Sequence, residues 1–309
     1  MLKTDSMILF LLVVCILWGF VVANDFGNHF LKANLNTTAC EVDQELEQLV
    51  KTNGSRSMMF VIYHNDSTGY AEQVAKTFAR CKESWIKPVK IRELTPFFET
   101  LMYREFLPEY ESEWKDLDYV IIGTYKTVLG IQIHPGIHFT LTLAEIKEKL
   151  LLARDYTGLN KGRKAEIIPF LRGKSLLMPM TLYFHGEDFL IAWNGILEAL
   201  GYSMKDINYF TAINPFYRNV YIIKPQLLQK LVAFMQKAMK VAETDPKVKS
   251  LLEKDAKYVG GKEEVARRVF NASYYHLHPF VFERLPSFYL RSISAMVCHT
   301  KSGPCASNY

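Results

Sequence analysis

The stretch WKDLDYVIIGTYKTV, residues 114–128, decides the fold class of this chain. Its centre, Tyr119–Ile122, is an unbroken run of β-branched and aromatic residues, which is typical of a strand buried on both faces of an α/β sheet. The strand leads directly into the polar residues Thr124–Thr127, and ligands of open α/β sheets bind outside the carboxyl ends of strands. We therefore predict that Thr124–Thr127 forms the floor of a ligand site, although an ordinary exit from a strand into a loop has the same composition.

Strands and helices alternate on the amino-terminal side of this stretch. We predict strands at Met58–Tyr63 and Pro88–Arg92, with helices at Tyr70–Arg80 and Phe97–Phe106. Because strand, helix, strand, helix and strand follow one another, the pattern predicts a parallel sheet with right-handed crossovers.

The carboxyl-terminal side continues the same pattern. We predict a loop over Gly130–Phe139, strands at Ile167–Leu171 and Asn219–Ile223, a helix from Gly186 to Leu200 that Gly201 ends, a long helix at Pro225–Ala242, and an aromatic strand around His276 and His278. The predicted fold class is therefore α/β, with a mostly parallel central sheet flanked by helices.

Composition and charge narrow the functional classes. The 309 residues are 49% hydrophobic and 22% charged, which fits one large α/β domain or two small ones. The net charge of +5 is modest and the basic residues are dispersed, whereas a nucleic-acid interface needs clustered Lys and Arg. We therefore expect no nucleic-acid partner, while a basic floor for a phosphorylated small molecule is compatible with this charge.

The amino terminus predicts export from the cytoplasm. Met7–Ala23 contains no charged residue, and Lys3 and the terminal amine place positive charge before it. The segment is longer than the usual core of a signal peptide and contains Trp18, so we predict an uncleaved signal anchor over residues 1–23, with cleavage before Asn24 as the alternative. The anchored chain would be a single-pass type II protein of the Golgi or endoplasmic reticulum membrane, and the cleaved chain would be secreted.

Sequons and cysteines agree with export, and we divide the exported part into a stem (24–57), an α/β domain (58–297) and a tail (298–309). Asn-x-Ser/Thr sequons, which mark N-glycosylation in secreted proteins, begin at Asn36, Asn53, Asn65 and Asn271. Outside the apolar segment the cysteines are Cys40, Cys81, Cys298 and Cys305, which can form two disulfides in an oxidising compartment. We favour a bridge between Cys298 and Cys305, with free buried thiols as the alternative.

Several familiar catalytic motifs are missing from the sequence. It contains no Gly-x-Gly-x-x-Gly, Walker loop, Gly-x-Ser-x-Gly or His-Glu-x-x-His. Metal ligation has two candidates, His276 with His278 and the group His185, Glu187 and Asp188. Packed histidines and acids that stabilise the helix dipole explain these residues without a metal, and we favour that interpretation.

Four sequence blocks occur in a recognisable order. They are MYREF (102–106), WKDLDYVIIGTY (114–125), NVYIIKP (219–225) and HPFVFERLPSF (278–288). In this order they resemble a poorly characterised glycosyltransferase-like family with bacterial surface-polysaccharide, algal and viral members. The resemblance extends over residues 58–290 and implies a nucleotide-sugar fold of the GT-A type.

The resemblance also implies roles for particular residues. Glycosyl transfer needs a nucleotide pocket, positive groups for the leaving diphosphate, and a base or tight positioning for the acceptor hydroxyl. We assign the nucleotide pocket to His64, Asn65, Asp66, Thr124 and Tyr125, the diphosphate to Lys126 and Arg284, and action on the acceptor to Glu283 or His185. Asn65 cannot serve both as a glycosylated sequon and as a pocket residue.

One motif of metal-dependent glycosyltransferases is present in an unexpected position. Asp116 and Asp118 match their Asp-x-Asp motif, in which two carboxylates hold a divalent ion. Those carboxylates belong after a buried strand, whereas Asp116 and Asp118 precede Tyr119–Ile122. We therefore interpret them as a polar turn and assign no metal ligand, which leaves metal dependence open.

The function that these observations favour is glycosyl transfer. We expect an enzyme that moves a sugar from a nucleotide-sugar donor to a glycan acceptor in the secretory pathway and that contacts the membrane through its amino-terminal helix. The alternative is a catalytically silent carbohydrate-binding or interaction domain on the same fold. A hydrolase that uses Glu283 with His185 is a third interpretation.

Overall fold

The computed structural model describes residues 57–63, 86–124, 131–134, 137–139, 167–169, 184–211, 219–258 and 263–293. The strands in these ranges are β1 (Ser57–Tyr63), β2 (Ile86–Lys90), β3 (Tyr119–Thr124), β4 (Ile131–His134), β5 (Ile137–Phe139), β6 (Ile167–Pro169) and β7 (Tyr221–Ile223). The helices are a 3-10 helix (Phe98–Tyr103), α1 (Phe106–Glu109), α2 (Glu111–Trp114), α3 (Glu187–Ala199), α4 (Met204–Thr211), α5 (Pro225–Thr244), α6 (Pro246–Leu252), α7 (Glu263–Phe270), α8 (His278–Phe282) and α9 (Leu285–Ser292).

A five-stranded sheet with the strand order β2-β1-β3-β7-β6 forms the centre of the fold. β1 pairs in parallel with β2 and with β3, whereas β7 pairs antiparallel with both β3 and β6. Four strands therefore run in one direction and β7 opposes them. The predicted α/β sheet flanked by helices is confirmed, and the reversed strand makes the sheet mixed.

The strand predicted at Tyr119–Ile122 is the middle strand of this sheet. All six residues of β3 are buried, so both of its faces are covered, and it has a hydrogen-bonded neighbour on each side. This outcome confirms the reasoning from its continuous apolar run. The other predicted strands are also present at or near their predicted positions, which are Met58–Tyr63, Pro88–Arg92, Ile167–Leu171 and Asn219–Ile223.

The long helix α5 organises the helical layer. Pro225 occupies its first turn, where a proline has no intrahelical bond to lose. Its buried face contains the predicted residues Leu227, Leu228, Leu231, Phe234, Met235 and Met239. Through this face α5 packs against β3, the 3-10 helix, α3, α6 and α9.

The helix α3 ends where the sequence predicts. Gly201 has a φ of +97°, a left-handed backbone conformation that residues with a Cβ atom rarely adopt. Its N–H donates to the carbonyl of Glu198 and the N–H of Tyr202 donates to the carbonyl of Leu197, which together form a Schellman cap. The last turn of α3 therefore depends on a glycine at this position.

Two predicted segments have a different structure. The predicted loop Gly130–Phe139 contains the antiparallel pair β4 and β5, because Ile131, Ile133, Ile137 and Phe139 alternate with polar residues around Pro-Gly, a hairpin pattern. The predicted aromatic strand at His276–His278 is wrong: His276 forms a single bridge with Asp255, and His278 begins α8, whose first turn accommodates Pro279.

Two further departures concern helices. The helix predicted at Phe97–Phe106 is a 3-10 helix followed by α1, and the hydroxyl of Thr100 bonds the carbonyl of Phe97, a local alternative to α-helical bonding. The charged segment after Asp245 contains α6 and α7. Asp245 caps α6, since its Oδ1 accepts from the N–H groups of Lys247 and Val248 at 2.9 and 3.1 Å.

The predicted anchor, residues 24–56 of the predicted stem, the helix Tyr70–Arg80 and all four cysteines outside the anchor lie outside the described residues. Among the helices that the structure describes, none has both the length and the apolar content needed to span a bilayer.

Candidate functional site

The candidate site lies at the carboxyl edge of the sheet, between β1 and β3. These neighbouring parallel strands end together, with Ile62 of β1 opposite Thr124 of β3. After β1 the chain enters β2 on one side, whereas the strands that follow β3 in the sheet lie on its other side. Connections that leave adjacent strands in opposite directions define a topological switch point, the place where open α/β sheets bind ligands.

Most of the predicted nucleotide residues follow these two strand ends in the chain. His64, Asn65 and Asp66 come directly after β1, while Tyr125 and Lys126 come directly after β3. These five residues lie outside the described ranges, so their roles stay predictions. Thr124 is described and is the buried last residue of β3. The structure thus brings together the two strand ends from which the predicted segments begin.

A buried hydrogen-bond network lies next to this edge and was not predicted. The hydroxyl of Tyr103 donates to Oδ1 of Asn219 at 3.1 Å and is also bonded to the hydroxyl of Tyr221. Since β7 runs antiparallel, its amino end, which Asn219 precedes, lies at the edge where β1 and β3 end. Burial raises the pKa of both tyrosines, so both hydroxyls remain protonated and can hold this end of β7 in place.

This network has no local sequence signal. Tyr103 and Tyr221 are separated by 118 residues and each looks like an ordinary core aromatic. Asn219 adopts a φ of +50°, a conformation that asparagine tolerates better than most residues. That asparagine directly before a β-branched run is the one feature from which the turn into β7 could have been inferred.

The predicted catalytic residue His185 lies in the helical layer, immediately before α3. It is 4% exposed, and its Nδ1–H donates to the carbonyl of Ala256 at 2.7 Å. The ring packs at 4.3 Å between centroids against Phe280. Gly186 follows with a φ of +70°, a conformation that favours glycine and that turns the chain into α3. The imidazole is thus fixed by one hydrogen bond and by aromatic packing.

The environment of His185 keeps its ring neutral at physiological pH. Burial lowers the pKa of His185 from 6.5 to about 4, the hydrogen bond to Ala256 opposes this change, and the charge of Arg284 adds to it. Only Nε2 is then left to accept a proton. A general base works best with a pKa near the operating pH, so the predicted role of His185 on the acceptor gains no support from its environment.

Glu283 and Arg284 lie at the junction of α8 and α9, close to His185. The guanidinium of Arg284 donates to the carbonyl of Phe280 at 2.5 Å and lies 5.3 Å from the ring centre of Phe189. Glu283 is half-buried and approaches the same guanidinium at 3.8 Å. The predicted roles of Glu283 and Arg284 stay predictions. In this structure the side chains of Glu283 and Arg284 fix the junction between α8 and α9. Thr124, which was predicted to belong to the same site, instead lies at the end of a strand of the sheet.

The candidate metal ligands have other partners. Asp188 forms an ion pair with Lys254 at 2.5 Å, and His276 and His278 stack at 6.0 Å between ring centres. Asp116 and Asp118 are exposed in the turn before β3, at the amino edge of the sheet, as the sequence predicts. Within the described ranges, no group of three or more His, Cys, Asp or Glu side chains is arranged to hold a metal ion.

The predicted glycosylation site at Asn271 lies on the surface. Asn271 and Ser273 are both exposed, directly after α7, and Asn271 adopts a φ of +52°. Its N–H donates to the carbonyl of Arg267 and completes the last turn of the helix. The amide side chain of this sequon is therefore accessible on the folded domain.

Comparisons with known proteins identify no relative of this chain. No family model matches it, and no curated protein and no solved structure is significantly similar to it.

Proposed function

We propose that this protein is a glycosyltransferase that binds a nucleotide-sugar donor at the carboxyl ends of β1 and β3 and transfers the sugar to a glycan acceptor. The observation that carries the proposal is the switch point between these strands, from which the segments with His64–Asp66 and Tyr125–Lys126 continue. An open α/β sheet places ligands at such a point. The mostly parallel direction of the sheet is compatible with a GT-A type fold.

The proposed site contains the chemistry that a diphosphate leaving group needs. Lys126 follows Thr124 by two residues and supplies an ammonium that offsets the developing negative charge. Polar side chains at His64, Asn65 and Asp66 supply donors and acceptors for the nucleoside. The bonded hydroxyls of Tyr103 and Tyr221 fix the end of β7 that lies at the same edge of the sheet.

Binding of nucleotides to the full chain tests this proposal. We expect UDP, GDP or CMP, or one of their sugars, to raise the melting temperature in a thermal-shift titration, with and without manganese, because a ligand that binds only the folded state stabilises it. The shift should be specific for one nucleotide. A folded sample that responds to none of them would refute donor binding and favour a silent carbohydrate-binding domain.

A pair of matched lysine variants tests the location of the site. Lys126 follows the carboxyl end of β3, whereas Lys115 is exposed at its amino end. We expect Lys126→Ala to weaken the nucleotide by about tenfold or more, since each lost charged contact to a phosphate is worth about 1.5–3 kcal/mol. Lys115→Ala should leave the affinity unchanged. Equal affinities of both variants and the parent chain would place the nucleotide elsewhere.

We also propose that the domain is lumenal, on a type II anchor or secreted. The accessible sequon at Asn271 supports this placement. Expression in a eukaryotic cell followed by glycosidase treatment should release a glycan from a peptide containing Asn271. An unmodified Asn271, in a chain whose other sequons are also unmodified, would contradict it.

A further inference from the structure

A shallow pocket outside the proposed donor site is built by three helices. Its volume is about 450 Å³, which is within the usual range for small-ligand sites. One wall is a stripe of α5 that carries the exposed residues Lys230, Ala233 and Lys237 and the buried Phe234, at the spacing of one helix face. The carboxyl-terminal end of α3 and a tyrosine of α9 form the other walls.

The lining of this pocket includes a stacked pair of aromatic rings. Tyr289 stacks on Phe234 with 4.2 Å between ring centres and 12° between ring planes, and Tyr202 meets Phe234 edge-on. Phe234 is buried while Tyr289 is half-exposed, so the accessible part of the stack belongs to Tyr289. Burial raises the pKa of Tyr289, so its hydroxyl stays protonated and can act as a hydrogen-bond donor. A ligand here needs an apolar face and an acceptor.

The charges of the pocket are of one sign. The eight described residues that line it include Lys230 and Lys237 and no carboxylate. Lys237 donates to the carbonyl of Leu200 at 3.3 Å, an uncharged partner, and its ammonium forms no ion pair with a carboxylate of the described residues. Asp206, whose charge acts on Tyr202, accepts a hydrogen bond from Ser203 and does not line the pocket. Two ammonium groups that pair with no carboxylate in the described part of the chain favour an anionic ligand.

The spacing of the two lysines determines the size of that ligand. They are two helical turns apart on α5, about 10 Å along the helix. The pocket is open to solvent, and Gly201 at its edge leaves open space where a Cβ would point. A ligand that reaches both lysines is therefore longer than one sugar ring and extends out of the pocket.

We propose that this pocket binds an acidic oligosaccharide, with one pyranose ring packed against Tyr289 and its carboxylates or sulfates near Lys230 and Lys237. The C–H face of a pyranose matches an aromatic ring, and acidic sugars supply the charge that two lysines complement. The proposal does not depend on the transfer reaction, because none of the described lining residues belongs to β1 or β3.

Calorimetric titration of the full chain tests the proposal. The probes are a hexasaccharide of alternating glucuronate and N-acetylglucosamine, a sulfated hexasaccharide of the same length, and a neutral hexasaccharide of N-acetylglucosamine. We expect the acidic probes to bind at low salt at least about tenfold more tightly than the neutral one, a difference of about 1.4 kcal/mol. The carboxylate and sulfate probes distinguish the two sources of charge. Equal binding of the neutral probe, or no binding of either acidic probe, would overturn the proposal.

Matched variants locate the binding. Lys230→Gln combined with Lys237→Gln should weaken the acidic probe about tenfold, and Ala233→Trp should abolish binding by filling the pocket while both charges remain. Lys240→Gln removes the same charge from α5 outside the pocket and should change the affinity by less than about twofold. All these positions are exposed on α5, so folding should persist, and circular dichroism checks it. Unchanged affinity in the first two variants would refute this site.

Titration with UDP distinguishes ligand binding at this pocket from binding at the proposed donor site. UDP affinity should be the same in Ala233→Trp as in the parent chain. If UDP binding is lost in this variant and the acidic hexasaccharide does not bind, the pocket is a nucleotide site and the oligosaccharide proposal is wrong. If no nucleotide binds but the acidic hexasaccharide does, the pocket stands and the donor proposal fails.

Discussion

Protonation of the buried His278 should weaken the folded state in mild acid. His278 is 6% exposed, its Nδ1 has no hydrogen-bond partner among the described residues, and its ring packs edge-on against Phe97. Burial lowers the pKa of His278 from 6.5 to about 4, the charges of His276 and Lys249 add to this, and the hydrogen bond to the backbone of Leu252 opposes it. The ring is therefore neutral in the folded protein near pH 7.

The sign of the effect follows from the direction of this shift. Because the folded-state pKa lies below the unfolded value, the unfolded chain binds the proton first. The stability that neutral His278 contributes is fully present above pH 6.5 and is lost as the pH falls through about 4. The free energy of unfolding should fall by about 1 kcal/mol at pH 6 and by about 2 kcal/mol at pH 5 on account of this residue.

Urea denaturation of the purified chain at pH 7.5, 6 and 5 measures this loss. His278→Phe keeps a flat ring that cannot be protonated, so its stability should fall by about 2 kcal/mol less than that of the parent chain between pH 7.5 and pH 5. Val281→Ala, a buried change in the same helix α8, is the control: it should lower stability equally at every pH. Parallel curves for His278→Phe and the parent chain would show that His278 does not titrate in this way.

Three further substitutions test the local structure by urea denaturation at pH 7.5. Gly201→Ala should cost about 1 kcal/mol, since the φ of +97° strains any Cβ although no atom obstructs it; unchanged stability would contradict the cap. Asp245→Ala should also cost about 1 kcal/mol through the loss of two backbone bonds at the start of α6, while Asp245→Asn should retain most of the stability. Trp114→Phe should cost about 1–3 kcal/mol, because the carbonyl of Leu107 loses its 2.8 Å bond from the indole nitrogen; a change below about 0.5 kcal/mol would mean that water replaces that donor.

The sequence was informative wherever the physical cause is local. The continuous apolar run of β3, the proline at the start of α5 and the glycine after α3 each act on the backbone within a few residues. The antiparallel pair β4 and β5 has an equally local signal, the alternation of apolar and polar residues on both sides of Pro135 and Gly136, although Gly130–Phe139 was predicted as a loop.

Of the candidate site, the sequence predicted which segments follow the strand ends but not how the strands are arranged. Its order of elements placed Thr124 at the carboxyl end of a buried strand, which the structure confirms. It assigned Glu283 and His185 to the acceptor, whereas the structure shows them within a packed helical layer, where their neighbours hold the ring of His185 neutral. The neighbours of a side chain come from distant parts of the chain, and periodicity does not identify them.

The sequence by itself determined the α/β class, the central strand and the stripe of α5 that is buried, because hydrophobic spacing and backbone restrictions operate over a few residues. Only the tertiary structure decided that β7 runs antiparallel beside β3, that Tyr103 meets Tyr221 across 118 residues, and that Lys230 and Lys237 share a pocket with Tyr289. Each of these results depends on which buried faces pack together. Which faces pack together depends on the whole core. The favoured arrangement is the one that removes the most apolar area from water and leaves the fewest polar groups without hydrogen bonds.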